Sequence, residues 1–324
     1  MPITNFPKIS GIAKNNIKIT INEKELRKTL SARGVMQPDI LDLSTSKTKK
    51  KGLLATVATV FSTGIGATIK KHFQNSALNK IDKRFDALQQ DLPRVKDTFQ
   101  DVFMRKDIDT KETSAMLERY RDIEKLRVTG TKDDYIKALF KEAKKNFGFG
   151  DIDIPLHIDD VIDNSEKCAG STKDLMNQGI HIKRNRTNMS HMNVIHHELR
   201  HEKQNYIAFN YDKEEYVKTA IKSVYKEAKS NKDDFLYDTV KNISFEQYYD
   251  DMQDAAKNDI YLIEKMYGKA DKSKLSEKDC EFARKCLKAK ESRVSGKVNY
   301  KAYKNNFLEK DAFHAGDTID KLLG

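Results

Sequence analysis

Residues 197–201 read His-Glu-Leu-Arg-His, and this pentapeptide sets the strongest condition on how the chain folds. Two histidines four residues apart face the same way on an α-helix, where they lie about one turn apart on one face. From there both imidazoles can reach one zinc ion at about 2.0–2.1 Å. Glu198, directly after the first histidine, can point at water on that ion and take its proton. The chemistry needs both the spacing and the helix. The flanking residues favour a helix: Asn188 or Ser190 can cap it, and Met189, Met192, Ile195, Leu199 and Tyr206 give a broad apolar stripe. His196 lies about 100° around the helix from His197. It and His191 are therefore expected to be hydrogen-bonded or solvent-facing histidines. Arg200 faces away from the two ligands and is read as structural.

At residues 197–204, HELRHEKQ, the chain resembles the active-site helix of the zincin metallopeptidases, where HELxH is often followed by a Gln three residues on. The longer HExxHxxGxxH pattern is absent, because Gln204 and Ile207 occupy the later positions. That departure argues against the metzincin branch. The resemblance then implies the gluzincin pattern, in which a carboxylate on a later helix is the third ligand. Tyr303, Asn306, Glu309 and Ala312 resemble a Y-x-x-N-x-x-E-x-x-A segment near the C-terminus of several small gluzincin-like families, and in that match Glu309 is the ligand.

The residues themselves are compatible with this match. Asn306 can cap a helix carrying Leu308, Ala312, Ala315, Ile319 and Leu322 on one face. Ala312 and Gly316, at i+3 and i+7 from Glu309, would let that helix approach the metal helix closely. The competing role for Glu309 is completion of a capping box with Asn306. Asp311 lies about 200° around the helix from Glu309; it and a Glu246/Asp250 pair are the fallback ligands. Tyr300, Tyr303 and His314 are candidates for stabilising an oxyanion, with packing as the default role of each. The resemblance covers roughly residues 150–324 and is sharp only in these two segments.

The remainder of the 324 residues reads as mostly helical. Lys and Glu are abundant, Trp is absent, and there are 5 Pro and 14 Gly, which favours helix over sheet. The net charge is +11, yet residues 1–51 hold eleven Lys and Arg against four Asp and Glu. Most of the excess is therefore a basic N-terminal arm. No RNA- or DNA-binding motif accompanies it, so a nucleic-acid partner is not expected. Cys168, Cys280 and Cys286 show no CxxC spacing, which excludes a disulfide framework and a Cys-based zinc site from the expectations.

Residues 1–20 lack the apolar run of a cleavable signal peptide. Ile17, Ile19 and Ile21 alternate as in a short strand. Residues 52–69 carry no charge and are framed by lysines, so a membrane span or hairpin, a surface-seeking helix and a buried core helix all compete for them. Helices are expected over 72–92, ending at Pro93, over 109–128 and over 131–147. Strands are expected where Ile152, Ile154, Leu156 and Ile158 alternate, with Pro155 marking a sheet edge, and at 179–183. The second strand is expected to be the edge along which an extended substrate could lie.

The expected fold is thus α+β and mostly helical. A basic arm (1–51) and an apolar segment (52–69) come first. A helical module (70–147) follows, and then a zincin-like domain with a small sheet (148–324). The expected function is hydrolysis of peptide bonds in a protein or peptide substrate, with Zn²⁺ held by His197, His201 and Glu309 and with Glu198 as general base. The alternative is a membrane-associated or partner-binding helical protein whose zinc site is structural or degenerate. The sequence names no compartment.

Overall fold

The computed structural model describes residues 65–162, 170–172, 179–185, 189–230, 236–292 and 299–324. Gln74–Gly324 forms one compact unit. The basic arm, the strand expected near residue 19 and residues 52–64 of the apolar segment lie outside the described residues. Among the described residues, no helix is long and apolar enough to cross a membrane.

Helix α1 (Ile65–Gln89) is followed by α2 (Leu92–Phe103), α3 (Thr110–Thr129) and α4 (Lys132–Lys144), which runs on into a π turn, Lys145–Phe149. Their starts follow local chemistry. The Asp109 carboxylate accepts from the Glu112 amide at 2.7 Å, and Thr131 and Asp134 form a reciprocal capping box. Pro93 does not end a helix as expected. It sits in the first turn of α2, where a missing N–H costs nothing and its fixed φ already suits the helix.

Three short strands follow: β1 (Leu156–Asp159), β2 (Gly170–Thr172) and β3 (Ile180–Lys183). They form one sheet in the order β1-β3-β2, with β1 parallel and β2 antiparallel to β3. Pro155 does lie at the sheet edge, just before β1, where its carbonyl accepts from the Ile180 amide at 2.8 Å. The strand expected to be an open edge, β3, is instead the central one, and β2 occupies the edge.

Helix α5 (His191–Tyr211) comes next and is capped by Ser190, whose hydroxyl accepts from the Asn193 amide at 3.0 Å. Helices α6 (Lys213–Ser230), α7 (Tyr237–Val240), α8 (Phe245–Asp251), α9 (Gln253–Tyr267) and α10 (Glu277–Glu291) build the polar helical region. Helices α11 (Tyr300–Asn305) and α12 (Phe307–Leu323) complete the described chain.

Two apolar clusters hold this unit together. One gathers Phe85, Phe99, Phe103, Leu117, Ile136 and Phe147 with Ile180, Ile195, Leu199, Ile319 and Leu323. It draws on residues from both sides of position 148, so the module and the domain expected from sequence share one core. The other packs Phe209, Tyr216, Ile221, Tyr248, Leu287 and Leu308. Helices α5 and α12 contribute to both clusters, and the candidate site lies where they do.

Candidate metal centre

Helices α5 and α12 run antiparallel, and their contacts form a ladder. Ser190 meets Asp320, Asn193 Nδ2 donates to Asp317 at 2.7 Å, Arg200 pairs with Asp311, and Gln204 Nε2 donates to the Leu308 carbonyl at 3.0 Å. Close approach is possible because Gly316 has no side chain. A Cβ there would stand 2.6 Å from the Asn193 carbonyl oxygen and 2.8 Å from its Oδ1. Ala312 and Ala315 beside it are likewise buried.

This ladder brings the two histidines of α5 to the carboxylate of α12. His201 Nε2 lies 3.2 Å from His197 Nε2, and Glu309 Oε2 lies 3.4 Å from the first and 3.7 Å from the second. Three N/O ligands at about 2.0–2.1 Å from a tetrahedral ion would stand about 3.3–3.4 Å from one another. The observed triangle brackets that spacing. The three residues could hold a metal ion, and His197 and Glu309 are buried while His201 is partly so. Glu309 is 0% exposed, so its side chain does not serve as a surface cap. Asn306 caps α12 without it, accepting from the Leu308 amide at 2.9 Å.

The surroundings of the triangle orient its second histidine. Gln204 Nε2 donates to the Leu308 carbonyl and, at 2.7 Å, to Asp311 Oδ2. Both partners are acceptors, so the amide orientation is fixed and its Oε1 must face His201. His201 Nδ1, at 2.9 Å from that oxygen, therefore donates to it, and Nε2 is the ring nitrogen that faces the triangle. The ring of Phe313 packs edge-on against His197, with centroids 4.6 Å apart.

Glu198 is 6% exposed and lies beside the edge strand β2. A Cβ built on Gly170 would stand 2.7 Å from Glu198 Oε1, 2.9 Å from its Cγ and 2.7 Å from Val194 Cγ1. Only a glycine lets the β2 backbone lie this close to the Glu198 carboxylate. No sequence signal marked this strand, which is three residues long and lies in a polar stretch. Gly170 therefore carries no signal in the sequence that points to Glu198.

The remaining candidates fall elsewhere. Asp311 is taken up by Arg200, with both Arg200 Nε and Nη2 at 2.7 Å from its oxygens. Burial alone would raise the Asp311 carboxyl, but the Arg200 bonds and charge, with the Gln204 bond, outweigh it and hold the group below its ordinary range. Glu246 and Asp250 are exposed on α8. His314 is exposed and meets Asp101 at 3.0 Å, while Tyr300, 62% exposed, stacks on Tyr303. His196 is fully buried in a chain of bonds: Asn146 donates to the Tyr120 hydroxyl at 3.2 Å, which meets His196 Nε2 at 2.9 Å, while His196 Nδ1 donates to the Met192 carbonyl at 2.7 Å. Burial pushes its imidazole down to about 4. His191 meets the Lys183 carbonyl at 3.2 Å. Comparison with protein-family models, with curated proteins and with solved structures finds no match to this chain.

Proposed function

We propose that the protein is a zinc-dependent peptidase of zincin-like, gluzincin type, acting on a protein or peptide substrate. The observation that carries this reading is the His197–His201–Glu309 triangle, whose edges of 3.2, 3.4 and 3.7 Å match a tetrahedral N₂O site. Two neutral imidazoles and a carboxylate suit Zn²⁺, and three protein ligands leave a fourth position for water. Zinc bound there supplies Lewis-acid polarisation of a carbonyl and lowers the pKa of water toward neutrality.

The chain's own residues divide the remaining work. Glu198 sits one residue along the helix from a ligand and takes the proton of the attacking water. It then returns that proton to the amine nitrogen leaving the cleaved bond. The β2 backbone at Gly170 passes so close to its carboxylate that a side chain there would displace it. His201, held by Gln204, keeps a lone pair aimed at the ion. Tyr300, Tyr303 and His314 remain proposals for an oxyanion contact, and Tyr303 stands first because Tyr300 and His314 lie at the surface.

A second reading takes support from the burial of the triangle, with side-chain exposures of 8%, 12% and 0% for His197, His201 and Glu309. In it the metal is structural and the helical regions, with residues 52–69, bind a partner or a membrane. Glu198 favours the first reading, since a structural site has no use for a base beside the ion. The test is metal content. Purified protein should carry close to one zinc per chain, lost in His197→Ala and in His201→Ala. Stoichiometric zinc that survives both substitutions removes the site.

A further inference from the structure

We infer that Gln204 is a positioning residue for this site: it fixes which nitrogen of His201 faces the metal, and the Arg200–Asp311 pair anchors it in place. The inference deepens the zinc reading and rests on it, though its first test needs no metal.

A free glutamine amide can turn over, exchanging oxygen for nitrogen, and would then offer His201 a donor. Here the nitrogen is held at two acceptors, the Leu308 carbonyl at 3.0 Å and Asp311 Oδ2 at 2.7 Å, so turning it over would put an oxygen against both. Asp311 Oδ2 accepts from Gln204, and Arg200 holds that carboxylate in place through two bonds of 2.7 Å. Arg200 is held in turn by the carbonyls of Asp101 and Val102 at the end of α2, at 3.1 and 2.9 Å. A cation at that helix terminus is favoured by the carbonyl dipoles.

The chain of contacts thus runs from the end of α2 through Arg200, Asp311 and Gln204 to His201 Nδ1. Its result is a His201 ring with the proton on Nδ1 and the lone pair on Nε2, facing His197 and Glu309. A free imidazole prefers the opposite tautomer, with the proton on Nε2, which would direct a donor at the place where an ion must bind. Bonds of this kind raise ligand basicity and hold ring orientation, and their loss typically costs about 10–100-fold in metal affinity.

The first measurement is a ¹⁵N NMR spectrum of the imidazoles in the metal-free full-length protein. His201 should show a protonated Nδ1 and an unprotonated Nε2. A protonated Nε2 and bare Nδ1 overturns the inference without touching the zinc reading. The second compares Gln204→Met with Asn193→Ala, which loosens the same α5–α12 interface through its bond to Asp317 but touches no ligand. With zinc as the probe in competition with a chelator, Gln204→Met should bind about 10–100-fold more weakly and, loaded with cobalt, should show altered visible absorption. Asn193→Ala should keep the wild-type cobalt spectrum even if it melts at a lower temperature. Equal loss of affinity in the two variants at equal loss of stability overturns the inference, because loosened packing then accounts for both. If wild-type protein binds neither zinc nor cobalt, the zinc reading fails and the inference falls with it.

Discussion

Arg200 and Asp311 face each other across α5 and α12 through two bonds of 2.7 Å, and this pair fixes which acid of α12 reaches the histidines. Glu309, two residues earlier and on the other side of the helix, is turned toward His197 and His201.

The two acids of α12 should therefore respond differently. Glu309→Ala should release zinc and abolish hydrolysis, because it removes a ligand. Asp311→Ala should keep zinc, bound about 10–100-fold more weakly, since it removes a support of Gln204. It should also destabilise the fold by about 3–5 kcal/mol, because Arg200 is left as a buried, unpaired charge. Zinc titration and urea denaturation on both variants check this. Loss of zinc in Asp311→Ala but not in Glu309→Ala would mean that the register of α12 is wrong.

Gly170→Ala tests the contact between the edge strand and the base. The added methyl would overlap Glu198 and Val194, so either the strand or the carboxylate must move. The expected result is full zinc content, a stability loss of about 1–3 kcal/mol and a fall in hydrolysis of about a hundredfold. Unchanged kinetics would show that β2 does not hold Glu198.

How much of this was legible in the sequence depends on chain separation. The helix of α5 follows from local signals: a Ser190 cap, an apolar stripe and the histidine spacing. The role of Glu309 came from a resemblance rather than from any local pattern, since nothing in residues near 309 refers to residue 201. Arg200 could be read as facing away from the ligands, but its partner Asp311 could not be named. Strand β2 leaves no mark in the sequence because three residues, Gly-Ser-Thr, carry no period, and without it β3 reads as the edge. From sequence alone Pro93 reads as a stop because a proline both ends and begins helices, and only the apolar face of α2, with Val95, Phe99 and Val102 buried, decides between these.

His196 should give the fold a particular acid sensitivity. Its folded-state pKa lies near about 4, below the ordinary 6.5, because burial disfavours the charged ring. Between these values the unfolded chain binds a proton that the folded chain does not, so stability falls as pH drops through that window. The full loss attributable to this group is about 3 kcal/mol. With zinc chelated, denaturation midpoints of wild type and His196→Gln should converge as pH falls from about 6.5 toward 4. Parallel curves would show that His196 does not contribute.

Residues 52–69 carry a separate proposal, that this uncharged segment associates with a membrane. Full-length protein should then pellet with membranes and resist carbonate extraction, while a chain starting at Lys70 should stay in the supernatant. Full-length protein that is soluble without detergent would exclude it.

We propose that Glu198 is a base acting beside zinc held by His197, His201 and Glu309. Zinc content and casein cleavage, measured side by side on wild type and Glu198→Gln, test it most directly. A base touches water and not the ion, so the variant should retain close to one zinc per chain and lose cleavage by about 10²–10⁴-fold. A Glu198→Gln protein that cleaves casein at the wild-type rate would contradict the mechanism, whatever metal it carries.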